Sequence, residues 1–223
     1  MLDTWSERVG TWLSDEALTG LLLILVLDML VLPMLGPDVG QVLLNMVFTV
    51  LLLTGLAAVA NRKVGFVVVG LIVLATVALR WMAPVPSLAL TKASALVASL
   101  VTISLFAMLV FLRTLSPGPI TRHRVEGAVA AYLLIGMAFA LAYEGVELLA
   151  PGSLQFAEGE PEAMGRAVSY FSLVTLTTVG YGDVTPVGPL TRRLAMAEGL
   201  IGQLYPAIII GWMVSSMTSR RRD

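Results

Sequence analysis

The chain has 223 residues, of which 57% belong to the set AVILMFWYC and only 13% are charged, against about a quarter in a soluble domain. That balance excludes a water-soluble globular protein and also a disordered one, which needs low hydrophobicity and high charge. A formal net charge of −1, one histidine and no cysteine leave no footing for a nucleic-acid partner, a disulfide, a thiolate nucleophile or a zinc cluster. In chain order, Leu2, Trp5, Val9, Trp12 and Leu13 form one helical stripe, with Asp3, Glu7, Asp15 and Glu16 over much of the rest. This predicts an amphipathic segment, 1–16, lying along the membrane surface. A tryptophan belt without further function is the simpler reading of the same residues.

Six runs with few or no charges follow: 17–35, 42–60, 64–82, 93–112, 127–143 and 194–217. Each is about long enough to cross a hydrocarbon core of roughly 30 Å as a helix, the fifth if it extends to 150 with Glu144 and Glu147 at the interface. None alternates as a barrel strand would, so the predicted fold is an all-α membrane protein with six transmembrane helices. The first run is too long, and its flank too acidic, for a cleaved signal peptide. Asp28 is the only acid deep in the first four runs, and Pro33 removes a donor toward Met29. Asp28 is expected to bond Asn45, Lys92 or a neighbouring helix, as a packing residue or as a proton or ligand site.

Lysine and arginine set the orientation. With the N-terminus cytoplasmic, the inner segments hold Arg8, Arg62, Lys63, Arg113, Arg122, Arg124 and Arg220 to Arg222, nine in all. The outer segments hold five: Arg80, Lys92, Arg166, Arg192 and Arg193. The expectation is a multi-pass protein of the cell inner (plasma) membrane with both termini cytoplasmic. The fourth run stands where a voltage sensor would, yet it carries no charge between Lys92 and Arg113. Sensing draws about 2.3 kcal/mol from each charge that crosses ~100 mV, so strong voltage gating by this helix is not expected.

Between the fifth and sixth runs lie Pro151-Gly152-Ser153 and an acidic loop with Glu158, Glu160, Pro161 and Glu162, read as a solvated loop. A short apolar segment over 167–177 comes next, too brief to span and suited to a re-entrant half-helix. Residues 177–183 then read Thr-Thr-Val-Gly-Tyr-Gly-Asp. This stretch, with Tyr170 to Pro186 around it, resembles the bacterial tetrameric potassium-channel family, and the likeness extends over about 130–217. The residue types support the likeness independently. A filter replaces an ion's hydration shell with backbone carbonyls aimed at one axis, and Gly180 and Gly182 supply the φ > 0 conformations that such alternation needs. Side chains of Val179 and Tyr181 would point away from that axis, and Thr178 would add its hydroxyl at the inner end.

The resemblance implies a passive potassium-selective channel rather than an enzyme, with potassium held at Thr178, Val179, Gly180, Tyr181 and Gly182 and no organic cofactor. One filter segment per chain implies a homotetramer in the bilayer. By family position Tyr170, Phe171 and Val174 brace the filter, with Tyr181 packing toward the two aromatic rings. Asp183 marks the outer mouth, where it concentrates cations or caps a turn. Some relatives pair that aspartate with a pore-helix glutamate; Val174 stands at the matching position, so Asp183 is expected to find another partner, an arginine or water. A pore helix over 166–177, a filter over 178–183 and an inner helix over 192–217 would sit in a pore domain, 125–219, after a four-helix domain, 17–115, and a linker, 116–124.

In the sixth run Gly202 falls on the family's hinge glycine, and Pro206 removes the hydrogen bond to its carbonyl, so a bend is expected there. That bend is either a gating hinge or a static kink. Gln203 and Pro206 would face the cavity, with Ile210 to Met217 lining any inner constriction. Glu198 would be costly against lipid and is expected behind the filter, bonded to the pore helix, as an anchor or a proton sensor. Few residues follow Met217, so any cytoplasmic regulator is expected on another chain, unless the sequence is truncated. A potassium-uptake transporter subunit and a non-conducting scaffold are the alternative functions; such transporters usually carry several degenerate filters per chain, and this sequence has one complete filter.

Overall fold

The computed structural model describes residues 16–31, 41–59, 63–83, 89–116, 121–157 and 164–219. The surface segment 1–15, Pro33 and the acids Glu158, Glu160 and Glu162 lie outside the described residues. The chain falls into two compact units that divide within one helix, after Leu134.

The first unit holds α1 (16–26, continuing as a π turn, Leu27–Val31), α2 (Gln41–Val59), α3 (Lys63–Met82), α4 (Ala89–Leu115) and the start of α5 (Arg122–Leu149). These segments are leucine-, valine- and alanine-rich with no internal proline. In lipid a helix is the form that satisfies every backbone donor and acceptor within one segment. Leu18, Leu21, Leu25 and Met29 recur at three and four residues and are buried, as are Phe48, Leu51 and Leu52 of α2. Gly55 lets α2 approach α4, because a Cβ there would lie 2.5 Å from the Phe106 ring. Leu23, Leu53, Leu71, Leu74 and Met108 stay exposed, the pattern of lipid-facing surface.

Most buried polar groups in this unit are paired along the helix contacts; among the described residues Ser99 Oγ of α4 is the exception. The Thr76 and Thr102 hydroxyls lie 2.7 Å apart between α3 and α4, and Thr102 donates to the Ala98 carbonyl. Arg80 donates to Asn45 Oδ1 at 3.2 Å and stands 4.0 Å over the Phe48 ring. Asn45 in turn donates to the Arg80 carbonyl at 3.5 Å. Arg113, at the end of α4, donates to the Ala58 carbonyl. At the start of α5, Glu126 accepts from Thr19 at 2.5 Å and pairs with Arg122 at 2.6 Å.

The second unit holds the rest of α5, β1 (Leu154–Phe156), α6 (Met164–Leu176), β2 (Val184–Pro186) and α7 (Pro189–Ser219). The two strands form an antiparallel ladder pairing Leu154 with Pro186, Gln155 with Thr185 and Phe156 with Val184. An all-α fold is corrected to this extent. Three-residue strands are too short for an alternating pattern to register in sequence. Ala140, Tyr143, Leu154, Val168 and Phe171 make the core, with the Tyr143 and Phe171 rings edge to face at 4.9 Å. In α7 the buried positions are Thr191, Glu198, Gly202, Tyr205 and Ile209, one narrow stripe. Met196, Leu200, Leu204, Ile208, Ile210 and Val214 are all exposed on the same helix.

Three helical stretches among the described residues are long and apolar enough to cross a membrane: Lys92–Thr114, Arg122–Leu149 and Pro189–Ser216. Val42–Ala58 and Phe66–Met82 are shorter apolar helices. The protein is therefore a mostly helical membrane protein.

Candidate functional site

The site is the chain between α6 and β2, and it begins as a helix cap. The N–H of Thr178 bonds the Thr175 carbonyl at 3.0 Å, and the N–H of Val179 reaches back to Val174 at 2.9 Å. Those two bonds are the paired closure of a Schellman motif, which needs a left-handed residue just past the helix end. That residue is Thr178, with φ +59°. Glycine usually occupies this position, so a threonine there holds strain of about 1–2 kcal/mol and is fixed by the surrounding bonds. Gly180 also donates to the Val174 carbonyl, at 3.3 Å. Val174, read as a bracing position, thus contributes a backbone carbonyl that anchors two filter amides.

Positive φ recurs at every second residue: Thr178 at +59°, Gly180 at +57° and Gly182 at +82°. Alternating handedness turns successive carbonyls toward one side of the strand. Val179 is 52% exposed and Tyr181 72% exposed, and a Cβ added at Gly180 or Gly182 would meet nothing within 4 Å. Within one chain the strand is open on its sides. Among the described residues no group of three or more His, Cys, Asp or Glu side chains is placed to hold a metal ion. The candidate cation ligands are the carbonyls of 178–182 and the Thr178 hydroxyl.

The outer end is tied down through Asp183. Its Oδ2 accepts from the Tyr170 hydroxyl at 2.7 Å, its Oδ1 from the Val184 amide at 3.1 Å, and its carbonyl from the Ala157 amide at 2.9 Å. The partner of Asp183 within the chain is thus a tyrosine on α6, in place of the arginine or water expected. Because it donates to this carboxylate, the Tyr170 phenol is pushed up to about 12. Phe171 turns the other way and packs on Tyr143 of α5. The structure does not bring Tyr181 onto that aromatic pair within one chain.

Behind α6, Glu198 of α7 is fully buried. It lies 2.7 Å from the Tyr143 hydroxyl and 2.5 Å from the Ser172 hydroxyl, and Ser172 is also 2.7 Å from the Gly136 carbonyl. One turn on, Gly202 meets the end of α6, and a Cβ there would fall on the Leu176 carbonyl oxygen and 2.7 Å from its carbon. The helix α7 continues through Pro206 to Ser219. Gln203, Pro206 and Ile210 lie on its exposed surface.

Three contributors escaped the sequence reading. Glu147, expected at the membrane interface, is buried and accepts from the Gly152 and Leu154 amides, the latter at 3.1 Å. Its signal was an acid placed just ahead of the Pro-Gly-Ser turn. Tyr143 and Ser172 act on a residue 55 and 26 positions away, and no local pattern points to either.

Residues 157–219 match the family described as Ion channel. The chain is 42% identical over 84 residues to Protein LctB of Geobacillus stearothermophilus, covering 35% of this chain and 59% of that protein. It is 35% identical over 85 residues to Two pore potassium channel c of Oryza sativa subsp. japonica, covering 38% and 17%. Against Inward rectifier potassium channel Kirbac3.1 of Paramagnetospirillum magnetotacticum it is 33% identical over 91 residues, covering 39% and 27%. The matches thus span well under two thirds of each relative's length. No solved structure matches. The family match thus lies over the segment that holds α6, the 178–183 stretch, β2 and α7, and two of these relatives are named as potassium channels.

Proposed function

We propose that this chain forms a passive, potassium-selective channel: four copies around one axis, six membrane-crossing helices in each, both termini cytoplasmic. The observation that carries the reading is the alternation of positive φ at Thr178, Gly180 and Gly182 directly after the α6 cap. Carbonyls turned to one side of an open strand can replace an ion's water only if other strands close the ring. Four-fold closure would also cover Val179, Tyr181 and the apolar residues of α7 that are exposed among the described residues. A neighbouring copy then supplies the packing against Tyr181 that its own α6 does not.

Each part has a task in this reading. Asp183 concentrates cations at the outer mouth, and Tyr170 holds it in place. The α6 helix presents its negative end near the cavity and suspends the filter from its last carbonyls. Gln203 and Pro206 line the cavity, with Ile210 and the residues beyond it forming the inner constriction. α4 carries no charge between Lys92 and Arg113, so conventional voltage gating plays no part in this reading.

The experiment is potassium flux in liposomes holding the purified chain, with sodium as the counter-test and Gly180→Asp as the blocked pore. Potassium flux that sodium does not reproduce, lost in Gly180→Asp, is the expected result. Flux that needs a second subunit would favour the transporter reading, and a tetramer that passes no ion would favour the scaffold.

A further inference from the structure

The region behind α6 contains more short oxygen–oxygen contacts than its hydroxyl protons can fill. Ser172 Oγ lies 2.7 Å from the Gly136 carbonyl oxygen and 2.5 Å from Glu198 Oε1, and Tyr143 Oη lies 2.7 Å from Glu198 Oε2. Each of these three separations is a hydrogen-bond distance and needs one proton between its oxygens. A carbonyl oxygen only accepts, and an ionised carboxylate only accepts. Ser172 and Tyr143 have one hydroxyl proton each, which makes two protons for three contacts.

We infer that Glu198 supplies the third proton: its side chain is a neutral carboxylic acid that donates to Ser172 and positions α6 beneath the filter. The chain of donors then runs in one direction. Tyr143 donates to Glu198 Oε2, Glu198 Oε1–H donates to Ser172, and Ser172 donates to Gly136. With an ionised Glu198, Ser172 would spend its proton on the carboxylate and face the Gly136 oxygen with none between them. Burial argues the same way. Glu198, Ser172 and Tyr143 are all fully buried, and no lysine, arginine or histidine among the described residues is paired with Glu198. A bare carboxylate without a cation is the costliest group such a place can hold. Among the described residues, Tyr143 from α5 is the one titratable group that bonds it, and α6 contributes the Ser172 hydroxyl.

The relay joins three helices at one point. Gly136 and Tyr143 belong to α5, Ser172 to α6 and Glu198 to α7, while Ser172 sits six residues before Thr178 on the helix that carries the filter. Glu198 is thus a positioning residue for the channel proposed above, on which this role rests; it touches no ion itself.

The test is infrared difference spectroscopy of the full chain in lipid vesicles near neutral pH, wild type minus Glu198→Gln. The amide of glutamine can accept from Tyr143 and donate to Ser172, so this variant keeps the relay and loses only the acid. A protonated-carboxyl C=O band, above the amide I region, is expected in the wild type, absent from Glu198→Gln, and shifted in frequency by Tyr143→Phe. Loss of a carboxylate stretch instead would overturn the inference. Thermal melting gives the second measure: Glu198→Gln should keep the wild-type midpoint, and Ser172→Ala should lower it. A Glu198→Gln midpoint that falls as far as that of Ser172→Ala would overturn the positioning role. The readouts also separate the two claims. A carboxyl band without potassium flux sinks the channel and leaves the acid, and flux without the band does the reverse.

Discussion

Replacing Gly202 with alanine tests how tightly α7 is set against the filter. In a helix interior, alanine is favoured over glycine by about 1 kcal/mol, so an unconstrained site would gain stability. Gly199 and Gly211 are such sites within one chain, since a Cβ at either meets nothing within 4 Å. At Gly202 the added methyl falls on the Leu176 carbonyl oxygen, with the carbonyl carbon at 2.7 Å and the Cα at 3.1 Å. All three atoms are backbone, so no rotamer change relieves the overlap. Overpacking of this kind costs about 1–3 kcal/mol, and a backbone obstacle puts it at the upper end. Subtracting the helix gain leaves a net loss of about 2 kcal/mol per chain. The displacement would fall on Leu176, two residues before Thr178, so the filter would move as well. The assay pairs the thermal midpoint of the vesicle-bound protein with potassium flux. Gly202→Ala should lower both, while Pro206→Ala alone probes bending. A Gly202→Ala protein with unchanged midpoint and flux would refute the close-approach argument and return Gly202 to the role of a hinge.

Three further substitutions read other parts of the structure. Glu147→Ala strips the acceptor from the Gly152 and Leu154 amides in a buried turn, at a cost of about 1–3 kcal/mol for each amide left unpaired; a midpoint equal to wild type would show that water replaces the carboxylate. The difference in phenolate absorbance between wild type and Tyr170→Phe should titrate at about 12, above the ordinary tyrosine value of about 10, because Asp183 favours the protonated phenol. In sign, this bond stabilises fully below pH ~10 and is lost as pH rises through the raised value; a titration at the ordinary value would mean that Tyr170 and Asp183 do not bond. Gly55→Ala drives a Cβ to 2.5 Å from the fully buried Phe106 ring and should cost about 1–3 kcal/mol, recovered in part by Phe106→Leu; strictly additive effects would show that the two residues do not touch.

The unusual backbone of 178–183 was readable because glycine at two alternate positions announces conformations that other residues avoid. The third alternate position was not readable in that way. Thr178 takes the left-handed conformation because the end of α6 closes on it, a demand of the cap rather than of the side chain. Helices in the long apolar runs were legible from length, but their ends were not; α7 starts at Pro189 and α5 at Arg122, both in charged or polar sequence. Gly202 shows the limit most clearly. A glycine four residues before a proline reads as flexibility, and only the neighbouring helix reveals that it provides room. The partner of Asp183 was hidden for a related reason, since Tyr170 was assigned to the filter wall by its aromatic ring, and its hydroxyl performs the bonding.

The scarcity of charge also carries a consequence for the first unit. Two of its arginines could in principle respond to a membrane field, and both are held at helix ends: Arg80 on Asn45 and the Phe48 ring, Arg113 on the Ala58 carbonyl. Between Lys92 and Arg113, α4 packs on α3 through hydroxyl pairs such as Thr76 with Thr102, which carry no net charge. Between those two end residues α4 offers a field nothing to move, whereas each charge carried across would contribute about 2.3 kcal/mol per ~100 mV. Moving it would instead break the Thr76–Thr102 bond, while each hydroxyl would keep a carbonyl of its own helix, Ile72 for Thr76 and Ala98 for Thr102. The helix that stands in a sensor's place thus has no charge between Lys92 and Arg113 for a field to move, which fits the channel without conventional voltage gating proposed above.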